Sequence, residues 1–248
     1  MVDKQLVRKR FLKHQDTYHK NAIVQLKVAD RLAALIHSNK PISSKSILEI
    51  GAGTGFLTKH LNTLKPIHFY INDIMFEAVE SLIEQYEHSI NYFGDIETLK
   101  PLPTCDIIAS SSTFQWLQYP EEFFPQCVSS LNGDGLLAFS TFGTENCKEI
   151  KATTGIGLDY INTSEYKKLL TSDVDIIHQE EELHTLFFDT AKDVIRHLKK
   201  TGVNGVKNTR WTIKQLHDFE QRYEQIRTTK GLPLTYHSII IIAKKKAL

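Results

Sequence analysis

Apolar and polar positions change their period several times along the chain. Over residues 15–38, Val28, Leu32, Leu35 and Ile36 recur at helical spacing with Lys27, Asp30 and Arg31 between them, which predicts an amphipathic helix. Short apolar runs follow at 46–50, 67–71, 90–93, 106–110 and 136–140, each long enough for a buried strand. Between them lie helix-like stretches at 54–64, 75–86 and 120–130, the last with Pro120 in its first turn, where proline is well tolerated. Asn132-Gly133-Asp134-Gly135 reads as a turn. Strands alternating with helices predict an α/β fold with a doubly wound parallel sheet.

The rhythm changes after Gly143. Residues 143–170 are mostly polar with helical pieces, which predicts a lid or insertion at about 143–172 within a single domain spanning 1–248. Then come a strand at 180–188, helices at 190–200 and 212–226, and a strongly β-branched run at 234–243. Two late strands with no ordinary crossover predict a terminal antiparallel addition to the sheet.

Composition narrows the function classes. A chain of 248 residues with 41% hydrophobic and 24% charged residues has the make-up of an ordinary globular protein. Its net charge of +1 supplies no global basic field, which disfavours nucleic acid as a partner and leaves only local basic patches. Three cysteines in no ligand-like spacing argue against a disulfide framework and against a metal site. Residues 1–13 hold Lys4, Arg8, Lys9, Arg10 and Lys13 but no apolar core, unlike a secretory signal. No apolar run approaches the ~20 residues that span a bilayer. A cytoplasmic monomer with no membrane partner is the expectation.

The chemistry is concentrated where the first strand ends, in Ile47-Leu48-Glu49-Ile50-Gly51-Ala52-Gly53-Thr54-Gly55. Glycines at 51, 53 and 55 let backbone approach a ligand where a β-carbon would clash. The spacing is G-x-G-x-G, which differs from the dinucleotide fingerprint and argues against NAD, and no Gly-Lys-Ser/Thr follows as in a P-loop. Ligands of open α/β sheets sit beyond the carboxyl ends of the strands, and each strand end here bears a suitable residue. Glu49 ends the first. Asp73, about 20 residues past the glycines, stands where a carboxylate grips ribose hydroxyls. Asp95 ends the third, with Ile74, Met75 and Ile96 as apolar neighbours for a ring, and Ser110 and Ser111 end the fourth.

The glycine turn resembles motif I of the class I (Rossmann-like) methyltransferases, which bind S-adenosylmethionine and release S-adenosylhomocysteine. Beyond it, the chain resembles the malonyl-acyl carrier protein O-methyltransferases of biotin synthesis. The resemblance rests on Phe11-x6-Tyr18-x3-Ala22-x2-Gln25-x2-Val28-Ala29, Asn72-Asp73, Gly94-Asp95-Ile96-Glu97 and Phe114-Gln115-Trp116. Narrower matches are Gly157-Leu158-x-Tyr160, Arg196-x-Leu198-Lys199-x-Thr201-Gly202 and Pro233-Leu234-Thr235-Tyr236-His237. It implies N-terminal helices, a helical lid, and methyl transfer to the free carboxylate of a malonyl thioester on acyl carrier protein, priming pimeloyl (biotin) synthesis. Tyr18, Gln115 and Trp116 are then the candidates nearest the chemistry, and Tyr160, Arg196, Lys199, Tyr236 and His237 those for substrate. Glu49, Gly51, Gly53, Asp73, Ile74, Met75, Asp95, Ile96, Ser110 and Ser111 would hold the cofactor.

Each substrate-side residue also has a plainer reading. Trp116 and Trp211 fit a core, His237 a satisfied structural histidine, and Arg196 and Lys199 a solvated helix face. An acidic carrier protein would be met by Lys199, Lys200, Lys207 and Arg210, or by Arg8, Lys9 and Arg10. A methyltransferase for another small carboxylic acid and a non-catalytic module of the same fold are the alternatives.

Overall fold

A computed structural model describes residues 3–41, 45–170, 172–202 and 212–247, with backbone only at 14–16. Lys207, Arg210 and Trp211 lie outside the described residues. The chain divides into two compact units. The sheet unit comprises Gln25–Thr141, Ile161–Glu181 and Ile239–Leu248; the helical unit comprises Met1–Val24, Phe142–Tyr160 and Glu182–Ser238. The segment predicted as one insertion is thus divided between them at Tyr160.

The described strands are β1 (Ser46–Ile50), β2 (His68–Asn72), β3 (Ser89–Asn91), β4 (Cys105–Ser111), β5 (Leu131–Phe142), β6 (Val174–Phe188) and β7 (Leu232–Lys245). They form a mixed seven-stranded sheet in the order β3-β2-β1-β4-β5-β7-β6. β1 pairs in parallel with β2 on one side and β4 on the other. Covered on both faces, these strands read as continuous apolar runs rather than alternating ones; Ile47, Leu48 and Ile50 are buried, as are Ile107, Ile108 and Ala109. The order reverses between β1 and β4, so the switch point lies beside the glycine turn.

Register brings the strand ends together. Ile50 pairs with Asn72 on β2 and with Ser110 on β4, so Gly51, Asp73 and Ser111 follow at one level of the sheet rim. Below the rim, Phe114, Phe124, Phe139 and Tyr166 pack ring against ring at centroid separations of 5.1–5.9 Å. This aromatic core anchors the 3₁₀ turn Phe114–Trp116 and α7 (Thr163–Leu169).

Several boundaries differ from the sequence reading. The single helix expected over 15–38 is two, α1 (Lys4–Asn21) and α2 (Ile23–Asn39), parted at Ala22, whose N–H bonds Tyr18 O. No glycine or proline marks that break. The helix expected from Thr54 begins only at Thr58, as α3 (Thr58–Asn62), because the glycine turn occupies the preceding residues in left-handed backbone. The turn at 132–135 lies inside β5, where pairing jumps from Cys105 with Leu131 to Ile107 with Leu136 and Asp134 takes φ +63°. β6 starts at Val174, well before residue 180, and its side chains alternate between sheltered and exposed. The remaining helices of the sheet unit are α4 (Phe76–Gln85) and α5 (Pro120–Ser129).

Within the helical unit, α1 packs on α8 (Ala191–Lys200), and α9 (Ile213–Glu224) packs on α8 and on α6 (Lys148–Thr154). α8 buries Ala191, Val194 and Leu198 on one stripe and leaves the other to solvent. Its N-cap Thr190 accepts from Asp193 N–H, and Thr212 and Gln215 form a capping box at the start of α9.

Candidate functional site

In the sheet unit the polar groups converge on the turn after β1. Asp73 is buried and its two carboxylate oxygens accept from Gly53 N–H at 2.8 Å and Met75 N–H at 2.9 Å. Burial raises its pKa, and the N–H groups of Met75, Gly53 and Ile74 pull it back. Asp73 therefore fixes the glycine turn as well as facing the rim. Glu49 is also buried, and its Oε2 has no hydrogen-bond partner among the described residues. Burial is the largest cause that pushes its carboxyl up to about 8; Thr58 opposes the shift and neighbouring Asp73 adds to it. A buried oxygen without a partner is costly unless a ligand group completes it.

Two glycines define the space. A β-carbon on Gly51 would stand 2.3 Å from Thr113 Oγ1, so that position must be bare for the turn to close on the Phe114–Trp116 segment. At Gly53 (φ +54°) nothing lies within 4 Å of where a β-carbon would be. A bare, open backbone turn flanked by a buried carboxyl with one unpartnered oxygen among the described residues suits the ammonium and carboxylate of an amino acid ligand. Asp73 suits ribose hydroxyls. Half-buried Ile74 and buried Met75 supply apolar surface next to it. The residues present fit S-adenosylmethionine.

The other candidates at this rim differ in what their side chains do. Asp95 is half-buried, and its Oδ1 accepts from Glu97 N–H at 3.2 Å. Ile96 is buried and packs in the hydrophobic core. The fully buried hydroxyl of Ser110 donates to Ile50 O at 2.9 Å and ties β4 to β1. The Ser111 hydroxyl lies 3.1 Å from that of Ser140. Gln115 is held at both ends, donating to Ser112 O at 2.6 Å and accepting from Thr141 Oγ1 at 3.2 Å. Trp116 is half-buried; the core position in that motif is taken by Phe114.

Sequence reasoning missed two straps here. Buried Asn72 donates to Tyr92 O and Gly94 O, setting the turn after β3. Glu97 accepts from the backbone N–H groups of Gln118 and Tyr119, joining that turn to the start of α5. The signal for both was a polar residue within two positions of a motif acid.

The helical unit holds a second polar cluster. Tyr236 is fully buried, and its pKa is driven well up by burial, with smaller contributions from Cys147, Tyr18 and Tyr160 nearby. Three phenols from distant parts of the sequence are thereby grouped. Tyr236 Oη lies 2.9 Å from His197 Nε2. Burial and neighbouring Lys200 bring His197 down to about 4, so its imidazole is neutral at neutral pH. Nothing in the sequence singled out His197; helical position opposite a buried tyrosine is visible only in three dimensions. Tyr160 accepts from Asn146 Nδ2 at 2.7 Å, and burial raises its pKa strongly.

His237 and Tyr236 are neighbours in β7, so their side chains leave opposite faces of the strand. Tyr236 lies with the phenols, and His237 Nδ1 accepts from Glu145 N–H at 3.2 Å. Arg196 is exposed and pairs with Asp193 one turn away on α8, and Lys199 is exposed on the same helix. That placement is a solvated helix face.

No cluster of three metal-ligating side chains occurs among the described residues, and none of their helices is long and apolar enough to cross a membrane.

Comparisons with known proteins bear on the whole chain. Residues 48–139 match the family model described as a methyltransferase domain. A malonyl-[acyl-carrier protein] O-methyltransferase of Bacteroides thetaiotaomicron is 38% identical, covering 99% of this chain and 99% of its own. A protein of that name from Bacteroides fragilis is 39% identical over 98% of this chain; this chain spans 51% of that longer relative. Among solved structures, the YcgJ protein of Bacillus subtilis superposes with a TM-score of 0.61 at 15% identity, covering 88% of this chain and 98% of its own, a likeness of fold alone.

Proposed function

Because the chain belongs to the malonyl-[acyl-carrier protein] O-methyltransferase family, we propose that it methylates the free carboxylate of a malonyl group carried as a thioester on acyl carrier protein, drawing the methyl from S-adenosylmethionine. The resulting ester masks a charge, so the malonyl unit resembles an ordinary acyl primer for chain elongation towards pimelate and biotin. The single observation that carries the reading is the buried pair Glu49 and Asp73 around the bare turn at Gly53, within a chain that matches this family over 99% of its length.

When bound, S-adenosylmethionine supplies a methyl group on a sulfonium sulfur. The residues of the chain do the rest. Glu49 Oε2 would accept from the ligand's ammonium, and Asp73 would accept from ribose hydroxyls while keeping the turn closed through Gly53 N–H. Gln115, fixed at both ends, and Trp116 wall the rim where the fourth strand ends. The malonyl carboxylate is ionised at neutral pH (pKa ~4 by analogy with side chains), so no general base is required. Attack joins an anion to a cation, charge disperses on the way to the transition state, and exclusion of water favours it. Alignment of oxygen, carbon and sulfur is worth up to ~7–11 kcal/mol.

The phenols suit this chemistry. Tyr160 and Tyr236 have pKa values raised by burial and stay protonated, and His197 stays neutral. Neutral donors hold a carboxylate without the full attraction of a buried cation, which would stabilise the nucleophile and blunt its attack. Tyr18 would act from α1 on the same substrate side. Carrier docking would fall to exposed basic residues such as Lys199 and to the N-terminal Arg8, Lys9 and Arg10, and would weaken with salt. The test is transfer of isotopically labelled methyl from S-adenosylmethionine to malonyl carrier protein. Label released as methanol by mild base identifies an ester; base-stable label would place the methyl elsewhere and reject the proposal.

A further inference from the structure

The turn 143–149 of the helical unit is clipped to β7 by a series of hydrogen bonds. Gly143 N–H and Cys147 N–H donate to His237 O and Thr235 O at 2.8 and 2.7 Å. Glu149 accepts from both the N–H (3.0 Å) and the hydroxyl (2.5 Å) of Thr235. In the middle sits Asn146, only 4% exposed, and its side chain links two things: Oδ1 accepts from His237 N–H at 3.3 Å, and Nδ2 donates to Tyr160 Oη at 2.7 Å.

The direction of this chain of bonds follows from its origin. A backbone N–H can only donate, so the Asn146 oxygen must face His237. The amide nitrogen then necessarily faces Tyr160. A phenol oxygen that accepts from an amide keeps its own hydrogen for another partner, and Tyr160 donates to none among the described residues. We propose that Asn146 is a positioning residue which makes Tyr160 a one-way donor to an oxygen of the malonyl group. The inference deepens the proposed function and rests on it. It makes the β7 backbone at His237 the origin of substrate polarity, and it explains a buried asparagine in a segment otherwise chosen for turning.

Three variants test it, each assayed for kcat/KM on malonyl carrier protein alongside S-adenosylhomocysteine affinity and thermal midpoint. Tyr160→Phe removes the donor. Asn146→Asp keeps the bond from His237 N–H but turns the second bond round, so the phenol hydrogen is spent on the carboxylate; Asn146→Ser removes both bonds without adding a buried charge. One hydrogen bond to a charged group corresponds to a loss of about 10- to 100-fold. Each single variant is expected to fall by that factor with cofactor affinity unchanged, and Tyr160→Phe combined with Asn146→Ser to fall no further than Tyr160→Phe alone. Wild-type rates in Tyr160→Phe, wild-type rates in both Asn146 variants, or losses that multiply in the double variant would each overturn the inference. Failure of the unaltered protein to methylate malonyl carrier while binding S-adenosylhomocysteine would instead reject the substrate reading on which it rests.

Discussion

The rim of the sheet unit and the phenol cluster of the helical unit solve different problems with similar side chains. At the rim, carboxylates are held by backbone N–H groups: Asp73 accepts from Gly53 and Met75, and Glu97 accepts from Gln118 and Tyr119. In the helical unit the polar groups at residues 146, 160, 197 and 236 are neutral side chains that bond one another or backbone, and among the described residues no carboxylate is hydrogen-bonded to Tyr160 or Tyr236. A cation-bearing cofactor calls for the first arrangement and an anionic nucleophile for the second. Under the proposed function, that difference separates the residues assigned to the methyl donor from those assigned to its acceptor.

Asp73→Ala is the severest way to break that division. It removes two backbone bonds to a carboxylate together with the ribose acceptor, and S-adenosylhomocysteine binding by calorimetry should weaken at least about 100-fold. Gly51→Ala sets a β-carbon against Thr113 Oγ1 at 2.3 Å in left-handed backbone. Strain and overpacking together should cost about 2–4 kcal/mol in denaturant unfolding, part of it recovered by adding Thr113→Ala.

Glu49 gives the comparison a pH signature. Its carboxyl is raised in the folded protein to about 8, so the native state holds a proton that the unfolded chain, near 4.5, has released. Stability is therefore greatest below the unfolded value and falls as pH rises towards 8, by at most about 1.4 kcal/mol per pH unit from this group. Glu49→Gln should flatten the slope of thermal midpoint against pH between 5 and 8. Bound S-adenosylhomocysteine should flatten it in the wild type, because its ammonium stabilises the ionised carboxylate and a proton leaves on binding.

Smaller effects sharpen the other side. Tyr18→Phe should lower kcat/KM on malonyl carrier by about 10-fold and leave S-adenosylhomocysteine affinity unchanged. Arg196→Ala should change unfolding free energy by less than about 0.5 kcal/mol, since its pair with Asp193 is exposed. Any effect it has on carrier KM should vanish in high salt.

The contrast also explains which parts of the protein could be read from the sequence. Strands β1, β2 and β4 were legible because parallel burial makes them continuous apolar runs, and their parallel register then aligns Glu49, Asp73 and Ser111 at one rim. The burial of Ser110 and Ile96 was not legible, because a residue at a strand end has two faces and periodicity over so short a run does not say which one meets the core. The helix break at Ala22 had no glycine or proline to announce it. Asn146 and His197 were invisible for a deeper reason: each matters through a partner about 14 to 90 residues away, and hydrogen-bond direction across such a distance leaves no pattern in sequence.

The most direct measurement is intact-mass spectrometry of malonyl, acetyl and unacylated carrier protein after incubation with the protein and S-adenosylmethionine. Gain of one methylene on the malonyl carrier alone is the predicted result, since only that form offers a free carboxylate on the acyl group. An equal gain on the acetyl or unacylated carrier, or no gain on the malonyl form while cofactor binds, would contradict carboxyl methylation.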